Sequence, residues 1–344
     1  MEKRTEGDPM SENTYRHRKD ATDFDLLKSQ ISSLRTSIEV DTRWMIEHPD
    51  TNERSKLNKE IDIAQNRIIE LKNILIKEPP LPELPPSQPL VKVCGVLEEL
   101  STLFTKGYFT DREYESDEFA RQESHRQWGS VLLAAIGDSA AASVNAQDSI
   151  RESHTYDFVQ GKINWKPFHG WLGYCSAQCG DYVEMAAADH GDHYEVYALA
   201  IPQLRVITTI PCCAHGIIGK ANAAAIGGIP FSIGVATIGL IVSFFAADNI
   251  LQMLQVTGWS FLGAVAYMAL VGPIVYDRMK DKPAPTVVLG QRIFTALGFP
   301  HPEKVNLHMS SRLKLWFGKD KALPEPASRM MPDKYYYVSH YFYY

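Results

Sequence analysis

Apolar and polar residues are distributed unevenly along this chain. Between Lys220 and Asp277 the sequence has one formal charge, Asp248, and it separates two apolar runs, Ala223–Ala247 and Ile250–Tyr276. A helix needs about 20 mostly apolar residues to cross a hydrocarbon core of about 30 Å, and each run meets that length. Neither carries the polar stripe of a helix lying on a soluble core. The pattern predicts two membrane-spanning helices over 222–276, joined by a turn at Asp248–Asn249. Arg205 and Lys220 precede the pair, and Arg278, Lys280 and Lys282 follow it. The positive-inside bias then puts both ends on the cytoplasmic side. Gly228, Ser232, Gly234, Gly239 and Ser243 in the first run, with Gly258 and Gly263 in the second, are small enough to let helices approach closely and assemble.

A different period governs the first part of the chain. Phe24, Leu27, Ile31, Leu34, Ile38 and Met45 recur at heptad-like spacing, and Leu57, Ile61, Ala64, Ile68, Leu71 and Leu75 resume it. Such steps keep one stripe facing a partner helix, while His48-Pro49-Asp50-Thr51 interrupts the run. An antiparallel, coiled-coil-like hairpin is expected over 23–77, after a polar, disordered 1–22. The proline-dense segment 78–89 reads as a semi-extended linker, and 90–150 reads as helical. From 155 to 211 the period changes to two. Candidate strands are Tyr156–Val159, Lys162–Asn164, Phe168–Leu172, Asp181–Ala187, Tyr194–Ile201 and Val206–Ile210, with turns at Gln160-Gly161, Cys179-Gly180-Asp181, His190-Gly191-Asp192 and Pro202. They predict a small antiparallel sheet or barrel. The C-terminal segment, 277–344, is expected to hold short amphipathic helices, at Val287–Leu297 and Ser311–Phe317, and a tyrosine-rich tail. The fold class expected is therefore an α+β membrane protein: helical hairpin, small β domain and transmembrane hairpin.

Composition narrows the function. The net charge of -6 over 344 residues, with no basic domain, gives no attraction for nucleic acid. Five cysteines form no disulfide framework. No apolar leader core follows the charged N-terminal residues, so the general export route is not expected.

The densest polar cluster is Asp189, His190, Asp192, His193 and Glu195. Histidine and carboxylate groups this close can hold a metal or move protons. A polar hairpin turn also accounts for them, and alternation along a hairpin keeps all of them from converging. Cys175 and Cys179, with Cys212, Cys213 and His215, have loose zinc-ligand spacing, although adjacent cysteines make poor paired ligands. Gly137-Asp138-Ser139 has the form of a nucleophile block without a base or an oxyanion hole. No catalytic set, metal site or cofactor is assigned.

From Gln160 onward the chain resembles a family of type VI secretion system effectors of Gram-negative bacteria. The resemblance rests on Gly161, Lys166-Pro167-Phe168, Gly170, Gly180-Asp181, Val183-Glu184, Gly191-Asp192-His193-Tyr194, Tyr197-Ala198, Pro202, Pro211, Cys213, Gly216 and Lys220, in that order, followed by two hydrophobic segments. The arginine of the family's Pro-His-Cys-Ser-Arg-Gly element is absent from Pro211–Gly216. The resemblance implies delivery by a contractile injection apparatus and no defined reaction. The expectation is an effector that inserts its hairpin into a target-cell inner membrane and perturbs it as a homo-oligomer. Its expected partners are lipid, a secretion spike or chaperone, and a cognate immunity protein. A resident membrane scaffold and an envelope-acting enzyme are the alternatives.

Overall fold

The computed structural model describes residues 21–48, 54–109, 114, 154–246, 250–317 and 341–344. Gly137-Asp138-Ser139, the N-terminal residues 1–20, for which disorder was expected, and most of the tyrosine-rich tail lie outside them.

The first helices among the described residues are α1 (Phe24–Glu47) and α2 (Arg54–Leu75). Asp23 caps α1, its Oδ1 accepting from the Leu26 N–H at 2.9 Å. The heptad seam is the contact between them: Ile31, Ile68 and Leu71 are buried, with Leu27, Leu34, Ile38 and Leu75 packed around them. A partly exposed ion pair joins Lys28, near the start of α1, to Glu78, just beyond the end of α2.

Residues 90–107, read from the sequence as helix, form one long strand, β1 (Leu90–Gly107). The apolar positions Leu97, Leu100, Leu103 and Phe104 suit a helix face, but sheet partners distant in sequence override that local pattern. The β1 strand is followed by β2 (His154–Ile163), β3 (Lys166–Leu172), β4 (Tyr182–Asp189), β5 (Tyr194–Ile201) and β6 (Val206–Thr209). The first half of β1 pairs with β4 and the second half with β2, and a register shift between Leu97 and Glu99 marks the change of partner. Such an irregularity bends a strand, so β1 can serve both neighbours. The β3 strand pairs with β2 and then, in parallel, with β5 through Phe168/Tyr194 and His169/Glu195. That last pairing closes a five-stranded barrel in the order β1-β2-β3-β5-β4. From β5 the sheet continues outward to β6 and β7 (Phe342–Tyr343), so the end of the tail is a strand.

Alternation sorts the barrel residues. Val183, Met185 and Ala187 point into an interior shared with Leu97, Val159, Ile163 and Leu172. Ala186 and Ala188 face outward, where α5 (Pro285–Leu297) lays Leu289, Ile293, Phe294 and Leu297 against them. The small alanines let the helix lie close, and each buried large side chain contributes about 1.5–3 kcal/mol.

The expected turn at Gln160-Gly161 lies within β2. Gly161 is needed there for a close approach, since a Cβ would sit 2.0 Å from the Glu99 carbonyl oxygen. The chain reverses instead at Asn164-Trp165, both at positive φ (52° and 64°) between the paired Ile163 and Lys166. This is the two-residue geometry that follows strand twist. The Asn164 side chain holds it by donating to the Cys94 carbonyl at 3.0 Å.

Beyond the barrel, α3 (Ile217–Ala246) and α4 (Ile250–Asp281) form the expected helical hairpin. The transmembrane assignment is corrected: among the described residues no helix is long and apolar enough to cross a membrane. Lys220 and Asn222 stand near the start of α3. Gln252, Gln255, Thr257 and Ser260 populate the first third of α4, Pro273 lies inside it, and Asp277, Arg278, Lys280 and Asp281 end it. In α4 they leave the apolar run from Phe261 to Tyr276, shorter than the about 20 residues a crossing requires. The short helix α6 (Leu307–Phe317) then packs on β7, with the buried Ser311 accepting from the Tyr343 N–H at 2.9 Å.

The glycines make a direct test. Gly161→Ala should destabilise the protein by about 1–3 kcal/mol through overpacking against backbone. Gly258→Ala in α4, where a Cβ meets nothing within 4 Å, should leave stability unchanged or raise it. Thermal unfolding of the two variants distinguishes them, and equal behaviour would contradict the close approach at Gly161.

Candidate functional site

Among the described residues, the most unusual surface is that of the α3–α4 hairpin. Ile226, Ile233, Ile238, Ile241 and Phe244 on α3 are 49–68% exposed, and so, at 37–78%, are Ile250, Leu254, Val256, Trp259, Phe261, Leu262, Val265, Leu270 and Ile274 on α4. At about 100° per residue these α4 positions point round most of the helix circumference. Monomers rarely expose contiguous apolar patches larger than a few hundred Å². The base of the hairpin is held tightly to the body: the Gly216 N–H donates to the Val305 carbonyl at 2.9 Å, and a Cβ at Gly216 would lie 2.2 Å from the Pro302 carbonyl oxygen.

The small residues expected to pack these helices behave differently. A Cβ added at Gly234, Gly258 or Gly263 would meet nothing within 4 Å, so these glycines mark no close helix approach. The surroundings of Gly228, Ser232, Gly239 and Ser243 lie outside what the structure describes. Thr237 and Ser260 donate to carbonyls of their own helices, Ile233 at 2.8 Å and Val256 at 2.9 Å, rather than bridging between helices.

The polar cluster occupies the β4–β5 hairpin tip, where Gly191 takes φ +90°. Asp189 turns to Lys166 and also accepts from the Gly191 N–H at 2.7 Å. Its carboxyl is held below the usual range, first by the Lys166 hydrogen bond and then by that N–H. Asp192 accepts at 2.7 Å from His193 Nδ1, which lowers its carboxyl too. His190 and Glu195 converge, with Nε2 to Oε2 at 3.4 Å. The imidazoles of His190, His193 and His169 form a row, with stacked centroids 5.0 and 4.9 Å apart. Burial, and next the neighbouring His193, pushes His169 below its ordinary value and favours its neutral form.

Two members of this cluster were not legible in the sequence. His169 lies two strands away in the Lys166–Gly170 block and arrives through the parallel β3–β5 pairing. Glu83 belongs to the proline-dense segment, which acts as a strap on the barrel rather than a free linker. Trp171 Nε1 donates to the Pro80 carbonyl at 2.7 Å, the Tyr197 hydroxyl to the Glu83 carbonyl at 2.8 Å, and the Glu83 N–H to Glu195 Oε1 at 2.9 Å. Arg292 on α5 reaches the Gln88 carbonyl at 3.1 Å. Among the described residues, Glu83, His190 and Glu195 are the group whose ligand atoms gather, all within 4.8 Å of one another.

The remaining sequence candidates are structural. Cys175 is held by burial at about 12 and Cys213 is also pushed up by burial, so neither thiol is poised as a ligand or nucleophile. The carbonyl of Asp181 accepts from the Leu97 N–H at 2.9 Å and its carboxylate from the Gln178 N–H at 2.8 Å, and Gly180 takes φ +92° in that turn. Pro202 starts a short 3-10 turn, and the Pro211 carbonyl accepts from the Tyr114 hydroxyl.

No family model, no curated protein and no solved structure matches this chain.

His215 generates a pH prediction. Burial first, then His308 and Lys220, lowers it from 6.5 to about 3. The unfolded chain therefore takes up a proton between those values while the folded state does not. The stability this confers is present above about pH 6.5 and declines as pH falls toward 3. His215→Gln should flatten the fall of melting temperature across that window, and an unchanged slope would refute the assignment.

Proposed function

We propose that this protein acts at a lipid membrane by burying its α3–α4 hairpin in the apolar layer. The observation that carries this reading is the exposure of large apolar side chains along α3 and round most of α4. A protein groove covers one face of a helix, whereas hydrocarbon can cover all of them. Burial in lipid requires apolar surface, not a crossing. Lys220 and the cluster Arg278, Lys280 and Lys282 stand at the two ends of the hairpin nearest the body, where cations favour an anionic headgroup layer. Together with the resemblance to type VI secretion effectors, this supports a delivered protein that perturbs a bacterial inner membrane. Several hairpins would act together, each adding apolar surface to the same layer. A spike or chaperone would shield the hairpin before delivery, and an immunity protein would neutralise it in the producer.

Flotation of the full chain with vesicles of phosphatidylethanolamine and phosphatidylglycerol, with dye release, tests the reading. Binding and release are expected, and Phe261→Asp with Val265→Asp should reduce both by at least about tenfold. Folded protein that neither floats nor releases dye would overturn it.

A further inference from the structure

The carboxylate of Glu195 stands out once the strap is in place. Its side chain is 8% exposed. Among the described residues its polar contacts are the Glu83 N–H at Oε1, His190 at Oε2 and the Tyr197 hydroxyl, with no Lys or Arg among them. Lys166 is engaged by Asp189 and by the face of Tyr194, 4.0 Å from the ring centroid. A carboxylate so deeply buried is ordinarily matched by a positive charge. The groups converging on Glu195 are instead an imidazole and a second carboxylate, that of Glu83, which is steadied by the Ser87 hydroxyl at 3.1 Å.

We propose that Glu83, His190 and Glu195 form a binding site for a divalent transition-metal ion, zinc being the best match, and that the ion clips the proline-rich strap to the barrel. Imidazole nitrogen and carboxylate oxygen at about 2.0–2.2 Å are zinc ligands, and three protein ligands leave a fourth position for water. Two ligand atoms on a tetrahedral ion of that size lie about 3.4 Å apart. His190 Nε2 and Glu195 Oε2 already have that spacing, at 3.4 Å. The Glu83 carboxylate has only to close from within 4.8 Å, and it is exposed, on the strap. Two carboxylates balance the charge of the ion. Calcium asks for six to eight oxygens, which this mixed set does not supply. His193, stacked on His190 and fastened by Asp192, orients the ligand ring from behind. The site is independent of the apolar hairpin and stands whether or not the protein binds lipid.

The test is calorimetric titration of the full chain, stripped with chelator, with zinc chloride. One equivalent should bind. His190→Ala and Glu83→Gln should each weaken binding by at least about tenfold, and Glu83→Gln leaves the barrel intact because its side chain is exposed. Glu70→Gln on α2, an exposed carboxylate paired with Arg67 and remote from the site, should retain tight binding. Zinc should also slow tryptic cleavage at Lys77 in the wild type and not in Glu83→Gln. Absence of stoichiometric uptake by the wild type, affinity unchanged in both ligand variants, or a preference for calcium would overturn the proposal.

Discussion

The structure depends on one strand serving two neighbours. The β1 strand begins against β4 and ends against β2, and only a bend at Leu97–Glu99 lets it do both. With that bend β3 comes round to β5 and the barrel closes. Closure gives β3 a partner on the edge that an open sheet would leave free, while β7 ends the sheet on the other side. It also fixes an inside of Val, Ile, Leu and Met and an outside on which α5, the strap and the helical hairpin are mounted. Gly161 belongs to the same constraint, since it lies where β2 presses against the backbone of β1 after the bend.

Two features of unlike chemistry are carried on this barrel. The α3–α4 hairpin is anchored at its base by backbone contact at Gly216 and displays apolar side chains along its length. A rigid base and an uncovered apolar surface together suit a device whose free end meets a nonpolar environment. The cluster at the β4–β5 tip is polar, partly buried and roofed by the strap. Its members come from β3, β5, the intervening turn and a segment more than 80 residues upstream, Glu83. Assembly of the cluster therefore requires the barrel to be closed and the strap to be seated.

Some of this was legible in the chain. The heptad stripe identified α1 and α2 and their seam, because a stripe of that period has one stable use, contact with another helix. The alternation after residue 155 located β3 to β6 within a few residues, but β2 was read as two strands split at Gln160-Gly161, and the glycine at the tip of the His190–His193 turn was read correctly. Leu90–Gly107 was not legible. Its apolar spacing fits a helix face, and its strand state comes from β2 and β4, the nearer of which starts almost 50 residues later. The turn at Asn164-Trp165 was missed because a tryptophan at positive φ is not a turn signal. The Asn164 side chain and the pairing of its flanking strands hold it there.

By itself, the sequence determined where polar and apolar residues concentrate: a long uncharged pair of runs, a helical stripe, an alternating block and a tight group of histidines and carboxylates. These are local quantities, set by neighbours in the chain. Tertiary structure alone decided what each would meet. It turned the proline segment into a strap, brought His169 and Glu83 to Glu195, and left Gly234, Gly258 and Gly263 without a close partner. It also limited the apolar hairpin to helices that, among the described residues, do not reach the length and apolarity of a crossing. The reason is physical: burial, counter-charge and close approach are properties of pairs, and the pairs here are made by barrel closure between residues far apart in sequence.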